Sequence, residues 1–387
     1  MRGIADKMKK AAQAAAAAPQ AGGMNGLGSG LGGSVGAGRL RELEGVKSNP
    51  GKLRGLFYVP EGLGAGAPLV VVLHGCTQDA TGYDRHSGWS RLAERHGFAL
   101  LFPEQSRSNN PNLCFNWYAA NHSQRGMGEA ASIKFMVDAM RRDHHVDPAK
   151  IFITGLSAGG AMAMVMLATY PEVFSAGAII AGIPYGCANG VAEAFDCMGG
   201  RARSGADELA ARVRRASPNK GKWPRVSVWQ GSEDRTVVPS NADAIVLQWA
   251  ALHGLGAKPD RTETVEGYPR RIWNGADGKP VLEHYAVTGM AHGTPLDPGT
   301  QEGQSGMAGA HMLDVGLSST DRIAAFFGIA PEPQASAKPA AKAKAEAPAQ
   351  AAKQRRRAAP RPRAAAAAPT GVQKVIEDAL RAAGLMR

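Results

Sequence analysis

A serine near the middle of the chain lies in a sequence that could make it a nucleophile. Residues 155–159 read Gly-Leu-Ser-Ala-Gly, which matches the pattern G-x-S-x-G around Ser157. In a parallel α/β sheet this pattern sets the serine hydroxyl on a sharp turn from a strand into a helix. The hydroxyl is a weak nucleophile at neutral pH, so it needs a base that takes its proton and an acid that orients the base. Without both partners, the motif is only a turn of small residues.

Two later loops carry the required acid and base. Asp234 follows an apolar run at residues 226–229, and His292 follows a second run that ends at Val287. The order Ser, acid, His is typical of parallel α/β proteins, where loops after successive strands meet at one edge of the sheet. We predict Ser157 as the nucleophile, His292 as the base and Asp234 as the acid. The alternatives are a turn carboxylate at 234 and a structural histidine at 292.

Two backbone N–H groups are candidates for stabilising the charge of the reaction. An attacked carbonyl develops negative charge on its oxygen, and preorganised N–H donors stabilise that charge. One predicted donor is the N–H of Ala158, directly after the serine. The second is the N–H of Cys76, in the loop after residues 69–73, where Gly75 allows close approach of the backbone. His74 is expected to brace this loop, and the chemistry needs no metal and no cofactor.

Apolar runs and helical patterns alternate along the central part of the chain. Short, fully apolar runs predict strands buried on both faces, and they lie at residues 69–73, 98–102, 151–153, 178–180, 226–229 and 284–287. Helical spacing of apolar residues predicts helices at residues 133–140, 161–169 and 245–252. An antiparallel strand at residues 53–59 and a hairpin within residues 272–287 complete the pattern. The alternation predicts an α/β fold, a mostly parallel central sheet with helices on both faces.

Charge and composition divide the chain into three segments. Residues 1–47 and 331–387 carry net charges of about +4 and +8, which account for the formal net charge of +12 and leave residues 48–330 about neutral. The first segment is rich in Gly and Ala, and the last in Ala, Lys, Pro and Arg, so both are predicted to be disordered. Apolar spacing predicts a short amphipathic helix at residues 372–383. We predict one catalytic domain at residues 48–330.

Cysteine spacing and the N-terminal residues bear on metal binding and cellular location. The four cysteines, Cys76, Cys114, Cys187 and Cys197, form no C-x-x-C pair, so a structural zinc site is not expected. The first twenty residues lack the Leu-rich apolar segment of a secretory signal. No run of about 18 apolar residues is present, so no transmembrane helix is predicted. These observations favour a cytoplasmic protein.

Six separated motifs together resemble the esterases related to polyhydroxybutyrate (PHB) depolymerases, in the α/β-hydrolase superfamily. They are LHGCTQ (73–78), FNWY (115–118), GLSAGGAM (155–162), AGIPYGCA (181–188), GSEDRTVVP (231–239) and MAHGTP (290–295). The resemblance spans about residues 50–330 and covers neither basic tail. It implies an α/β-hydrolase fold, a triad of Ser157, Asp234 and His292, and no metal.

The resemblance carries three further expectations. Similar enzymes pair the cysteine after His-Gly with the cysteine before Phe-Asn-Trp, which implies a Cys76–Cys114 disulfide, less so in a reducing cytoplasm. Many members are secreted, so an extracellular location is the alternative to the cytoplasmic one. The FNWY motif places Asn116 and Trp117 either in the wall of a substrate pocket or in the packing of a loop, and we predict the pocket.

The predicted function is that of a serine carboxylesterase. Its substrate would be a polyhydroxyalkanoate, an oligomer of one, or a short-chain acyl ester. Because relatives act on acetyl or feruloyl groups of plant polysaccharide, an acetylxylan or feruloyl esterase is the alternative. A different class is a catalytically silent binding protein that the basic tails dock onto polymer granules or polyanions. The tails could instead only solubilise the protein.

Overall fold

The computed structural model describes residues 39–202, 204–301 and 303–334 of the 387-residue chain. The strands in these ranges are β1 (Arg41–Glu42), β2 (Arg54–Tyr58), β3 (Leu69–Leu73), β4 (Ala99–Glu104), β5 (Ile151–Leu156), β6 (Ala176–Ile180), β7 (Arg225–Gly231), β8 (Arg261–Val265), β9 (Tyr268–Asn274), β10 (Pro280–Val287), β11 (Thr294–Leu296) and β12 (Met312–Asp314). The helices are α1 (Ala80–Ser87), α2 (Trp89–His96), α3 (Ala120–Ser123), α4 (Gly128–Asp143), α5 (Ala158–Thr169), α6 (Val191–Met198), α7 (Ala206–Ala216), α8 (Ser240–His253) and α9 (Ser319–Phe327). Most of both predicted tails, with the predicted helix at 372–383, lies outside the described residues.

One large sheet runs through the described part of the chain, with the strand order β1-β2-β4-β3-β5-β6-β7-β10-β9-β8. The central strands β4, β3, β5, β6, β7 and β10 are parallel to their neighbours in this series. The outer strands β1, β2, β9 and β8 pair antiparallel. The predicted mostly parallel sheet is therefore confirmed, together with its antiparallel front strand and the hairpin of β9 and β10.

The central strands are buried on both faces because helices cover the sheet on both sides. Along β3, Leu69, Val71 and Leu73 pack into one hydrophobic cluster, whereas Val70 and Val72 pack into the other. Side chains of α4, α5 and α8 belong to the first cluster, and side chains of α1, α2 and α9 to the second. Alternate residues thus face different helical layers, which explains why the strand is a continuous apolar run rather than an alternating one.

The folded region starts before the predicted boundary at residue 48. Arg41 and Glu42 pair with Phe57 and Leu56 of β2, and Leu43 is buried in the first cluster. A strand of two residues with exposed, charged side chains carries no apolar alternation. The prediction from composition therefore placed these two residues in the disordered N-terminal segment.

Two short helices that the sequence pattern did not predict cover the second face. The Asp79 carboxylate accepts a hydrogen bond from Gly82 N at the start of α1, which satisfies one of the helix's unpaired N–H groups. Gly88, with φ of +80°, ends α1 and starts α2. Each helix has only eight residues, too few for a clear helical period. No helix among the described residues has the length and apolar character that crossing a membrane requires.

Candidate active site

Ser157 lies on the turn between β5 and α5. β5 ends at Leu156 and α5 starts at Ala158, so a single residue joins the strand to the helix. Ser157 has φ of +57° and ψ of −118°, a conformation that costs free energy for a residue with a side chain. Its backbone N–H donates to the carbonyl oxygen of Ile180 at 2.9 Å, which ties the turn to β6. The strand-to-helix context that the motif predicts is therefore present.

The glycines of the motif are required by close contacts between backbone segments. A Cβ on Gly155 would lie 2.4 Å from the carbonyl carbon and oxygen of Gly159. A Cβ on Gly159 would lie 2.4 Å from the carbonyl oxygens of Leu73 and His74. These neighbours are backbone atoms of α5, of β3 and of the loop after β3, so they cannot move aside as a flexible side chain would. Any larger residue would push the Ser157 turn away from the loop that follows β3.

A continuous series of hydrogen bonds joins Ser157, His292 and Asp234. Nε2 of His292 lies 2.9 Å from Oγ of Ser157, and Nδ1 of His292 lies 2.7 Å from Oδ2 of Asp234. The three residues are separated by as many as 135 positions along the chain. They meet because β5, β7 and β10 are parallel and their following loops share one edge of the sheet.

The Asp234 carboxylate is fixed from several sides. Its Oδ1 accepts hydrogen bonds from the backbone N–H groups of Thr236 and Val237, both at 2.9 Å. Its Oδ2 accepts from Nε2 of Gln230 at 3.0 Å, in addition to the bond with His292. The residue is only 2% exposed, so these donors replace the water that a buried carboxylate loses. The neighbouring Glu233 is exposed and takes no part in this arrangement.

The loop after β3 faces Ser157 and is braced by His74. Nδ1–H of His74 donates to the carbonyl oxygen of Gly75 at 2.8 Å, and Nε2 accepts from the backbone N–H of Gln105 at 3.1 Å. Burial lowers the pKa of His74, which favours the neutral ring that this donor and acceptor pattern requires. In the described part of the chain, neither the N–H of Cys76 nor that of Ala158 donates to a protein acceptor. Both predicted donors are therefore available to a ligand.

A small cleft lies between Ser157, His292 and the loop after β3, and it is lined by one histidine that the sequence analysis did not identify. Its walls are formed by Gly75, Cys76, Gln78, Leu156, Ser157, His292 and His311. Nδ1 of His311 lies 3.1 Å from the carbonyl oxygen of His292, and the two rings meet edge to face at 5.8 Å. His311 has φ of +59°, so a turn rather than a motif brings it to the cleft. No residue pattern around it signals this placement.

The structure places Asn116 and Trp117 outside the lining of the cleft at Ser157. The Asn116 side chain donates to Glu129 at 2.6 Å and accepts from Asn110 at 2.9 Å, so it belongs to a buried network. Trp117 packs against the cluster that includes Ala161 of α5 and Val237 of the Asp234 loop. Neither side chain is among those that line the cleft at Ser157. Their role in substrate binding stays a prediction.

Glu129 is a buried carboxylate at the centre of that network. Its Oε1 accepts from the side-chain amides of Gln105, Asn109 and Asn116, and its Oε2 accepts from the backbone N–H of Asn116 at 2.8 Å. Burial raises the pKa of Glu129 to about 7, while these hydrogen bonds partly oppose the rise. The network holds the segment that carries the FNWY motif against α4.

Replacing Glu129 by glutamine is expected to change how stability depends on pH. Its folded pKa of about 7 exceeds the ordinary glutamate value of 4.5, so the folded state keeps a proton that the unfolded state loses as pH rises between these values. The native protein should therefore lose about 3 kcal/mol of stability from this group across that window. The free energy of urea unfolding is measured for wild type and for Glu129→Gln at pH 4.5 and pH 7. Because the two proteins share all other titrating groups, the difference between their pH dependences is the contribution of Glu129. Parallel pH profiles for the two proteins would contradict the shift.

The four cysteines form two disulfides, Cys76–Cys114 and Cys187–Cys197. The first is the pair that the family resemblance implied, and it links the loop after β3 to the segment before the FNWY motif. The second lies in the segment between β6 and β7 and ends in α6, and the sequence did not identify it. Over the described ranges, no group of three or more His, Cys, Asp or Glu residues is placed to hold a metal ion.

A family model matches the central part of the chain. The model described as "Esterase PHB depolymerase" matches residues 54–265, which include the Ser157 turn and the Asp234 loop. The match spans more than half of the chain.

Individual relatives agree with the family match. Poly(3-hydroxyalkanoate) depolymerase C of Paucimonas lemoignei is 46% identical over 295 residues, 75% of this chain and 70% of that protein. Feruloyl esterase B of Talaromyces stipitatus is 30% identical over 273 residues, 68% of this chain and 75% of that protein. The acetyl xylan esterase from Aspergillus awamori superposes with a TM-score of 0.64 at 26% identity, over 75% of this chain and 99% of that one, which confirms the α/β-hydrolase fold. The chain therefore belongs to the PHB depolymerase family of esterases.

Proposed function

We propose that the protein is a serine esterase that hydrolyses hydroxyalkanoate esters through an acyl-enzyme on Ser157. The observation that carries the proposal is the series of hydrogen bonds from the Ser157 hydroxyl through the His292 ring to the Asp234 carboxylate. Both distances lie within the range of about 2.6–3.2 Å that proton transfer between such groups requires. Membership of an esterase family supports the same chemistry.

In the first half of the proposed reaction, Ser157 is acylated. Nε2 of His292 takes the hydroxyl proton while Oγ attacks the ester carbonyl carbon, and the carbonyl electron pair moves onto the oxygen. The Asp234 carboxylate stabilises the imidazolium that forms. The N–H groups of Cys76 and Ala158 donate to the oxyanion, and one such donor is worth roughly 3 kcal/mol in known enzymes.

The second half releases the products. The carbonyl re-forms, the bond to the alcohol oxygen breaks, and Nε2–H of His292 gives its proton to the leaving alkoxide. A water molecule then gives a proton to His292 and attacks the acyl carbon. Collapse of this second intermediate frees the carboxylic acid and returns the proton to Oγ of Ser157.

The proposed substrate class follows from the relatives. The relative named as a poly(3-hydroxyalkanoate) depolymerase is 46% identical to the chain, against 30% for the feruloyl esterase. We therefore place hydroxyalkanoate oligomers first. Acetylated or feruloylated plant polysaccharide is the second candidate, because the superposed acetyl xylan esterase is matched over 99% of its length.

A panel of four esters tests the substrate class. It consists of the methyl ester of a linear 3-hydroxybutyrate trimer, p-nitrophenyl butyrate, acetylated xylan and methyl ferulate. Among the three esters with unactivated alcohols, we expect the trimer ester to give the highest kcat/KM, whereas p-nitrophenyl butyrate, with its activated leaving group, reports esterase activity alone. A higher kcat/KM for acetylated xylan or methyl ferulate would contradict the proposed substrate class but would still support the esterase activity. If the enzyme hydrolyses none of the four esters, the proposed function is wrong.

The disulfides support an oxidising compartment or the outside of the cell over the predicted cytoplasm. All four cysteines of the chain are paired, and such bonds persist mainly in oxidising environments. Protein isolated from its native compartment, unfolded without reductant, should therefore show no thiol that reacts with Ellman's reagent. Reactive thiols under these conditions would support the predicted cytoplasmic location instead.

A further inference from the structure

The segment between β6 and β7 leaves the sheet beside the proposed catalytic residues. β6 lies between β5 and β7 in the sheet, and Ser157 and Asp234 follow those two strands. Because the three strands are parallel, the segment after β6 starts at the same sheet edge, between nucleophile and acid. It carries α6 and the disulfide Cys187–Cys197.

A pocket lies between α6 and the Asp234 loop. The backbone N–H of Val238 donates to the carbonyl oxygen of Met198 at 3.0 Å, and this bond holds the two segments together. The pocket has a volume of about 290 Å³, and its walls include Phe195, Met198, Arg201, Arg235, Thr236 and Val238. This volume is close to the lower end of known ligand pockets, roughly 300 Å³. The N–H of the lining residue Thr236 is itself bonded to the Asp234 carboxylate.

The walls combine an apolar surface with one unpaired positive charge. Phe195, Met198 and Val238 are half-buried and supply the apolar surface. Arg201 is ion-paired with Asp196 at 2.7 Å, so its charge is compensated. Arg235 is exposed and, among the residues described, makes no ion pair or side-chain hydrogen bond. A guanidinium presents two parallel N–H donors that match a carboxylate.

We propose that this pocket binds the acid terminus of an ester chain, with the Arg235 guanidinium on the terminal carboxylate and the apolar wall on the adjoining alkyl group. The inference rests on the proposed function and deepens it, because it assigns an end-recognition subsite beside Asp234. A linear hydroxy-acid oligomer has one free carboxylate, whereas its interior ester units are neutral. The enzyme would then prefer short oligomers with a free acid end over the same oligomers with that end esterified.

The test compares two substrates that differ only at this end. The 3-hydroxybutyrate trimer is used as the free acid and as its methyl ester, with wild type, Arg235→Gln and Arg235→Lys. In wild type we expect a KM about tenfold lower for the free acid. Arg235→Gln should raise the KM of the free acid about tenfold more than that of the methyl ester, and Arg235→Lys should have an intermediate effect because it keeps the charge and loses the paired donors.

An exposed arginine outside the pocket provides the matched control. Arg85 of α1 is also exposed, and Arg85→Gln should leave both KM values unchanged. If Arg235→Gln changes the two KM values by the same factor, or if wild type does not distinguish the two substrates, the end-recognition subsite is refuted. Hydrolysis of p-nitrophenyl butyrate by wild type tests the proposed function separately, since this ester carries no carboxylate.

Discussion

Replacing Ser157 by alanine is expected to lower kcat for p-nitrophenyl butyrate by about 10⁴-fold or more. The substitution removes the atom that would attack the carbonyl carbon, while the backbone bond from residue 157 to Ile180 remains. Alanine has no larger side chain than serine, so the turn between β5 and α5 can keep its conformation. The melting temperature should therefore change little, and the remaining rate would come from the N–H donors and substrate binding alone.

A second serine and a covalent probe separate this prediction from unfolding and from the silent-binding alternative. Ser175 lies before β6, at the opposite edge of the sheet, and its hydroxyl donates to the carbonyl oxygen of Ala149. Ser175→Ala should keep full activity. A fluorophosphonate should label wild type at Ser157 and should not label Ser157→Ala. If wild type is not labelled, or if Ser157→Ala hydrolyses the ester at the normal rate, the nucleophile assignment fails.

The features that the sequence predicted well are those with a local physical cause. Every residue of β3 is buried because both faces of the sheet are covered, so an apolar run is a sufficient signal. The glycines at 155 and 159 are required by backbone contacts within 3 Å, so the motif implies its own turn. The loops that carry Asp234 and His292 could be found because each directly follows a buried strand.

The features that the sequence did not reveal depend on distant contacts or on single backbone torsions. The spacing of four cysteines allows three pairings, so Cys187–Cys197 had no signature of its own. His311 reaches the cleft only because its backbone has a positive φ and β12 pairs with β11. Asn116 is engaged by Glu129 of α4, a contact that residue types alone do not specify. Such contacts follow from the assembled fold.

The loop after β3 is coupled to the Glu129 network through three links. The disulfide joins Cys76 to Cys114, and the backbone N–H of Thr77 donates to the carbonyl oxygen of Asn112 at 2.7 Å. A third connection runs from Gln105, whose backbone bonds His74 and whose side chain bonds Glu129. The position of the Cys76 N–H therefore depends on a buried carboxylate that makes no contact with Ser157.

Replacing Asp234 by asparagine is expected to lower kcat by about 10⁴-fold with little loss of stability. The asparagine oxygen can keep the bonds from the backbone N–H groups of Thr236 and Val237. Its NH₂ group then faces Nδ1 of His292 and cannot accept the hydrogen bond that the carboxylate accepts from Nδ1–H. The reverse orientation is disfavoured because the two backbone donors are fixed, whereas the His292 ring can change its tautomer. The proton then lies on Nε2, which can no longer take the proton of Ser157.

The neighbouring carboxylate gives this prediction a matched control. Glu233→Gln removes the same charge one residue away, on an exposed side chain, and should leave kcat within about twofold of wild type. Measured kcat values for p-nitrophenyl butyrate and melting temperatures of both variants complete the comparison. Equal losses in the two variants would indicate a general effect of charge or loop conformation. The backbone N–H groups of Thr236 and Val237 would still hold the loop of Asp234→Asn in place. A kcat of this variant within tenfold of the wild-type kcat would therefore mean that the carboxylate does not orient the imidazole.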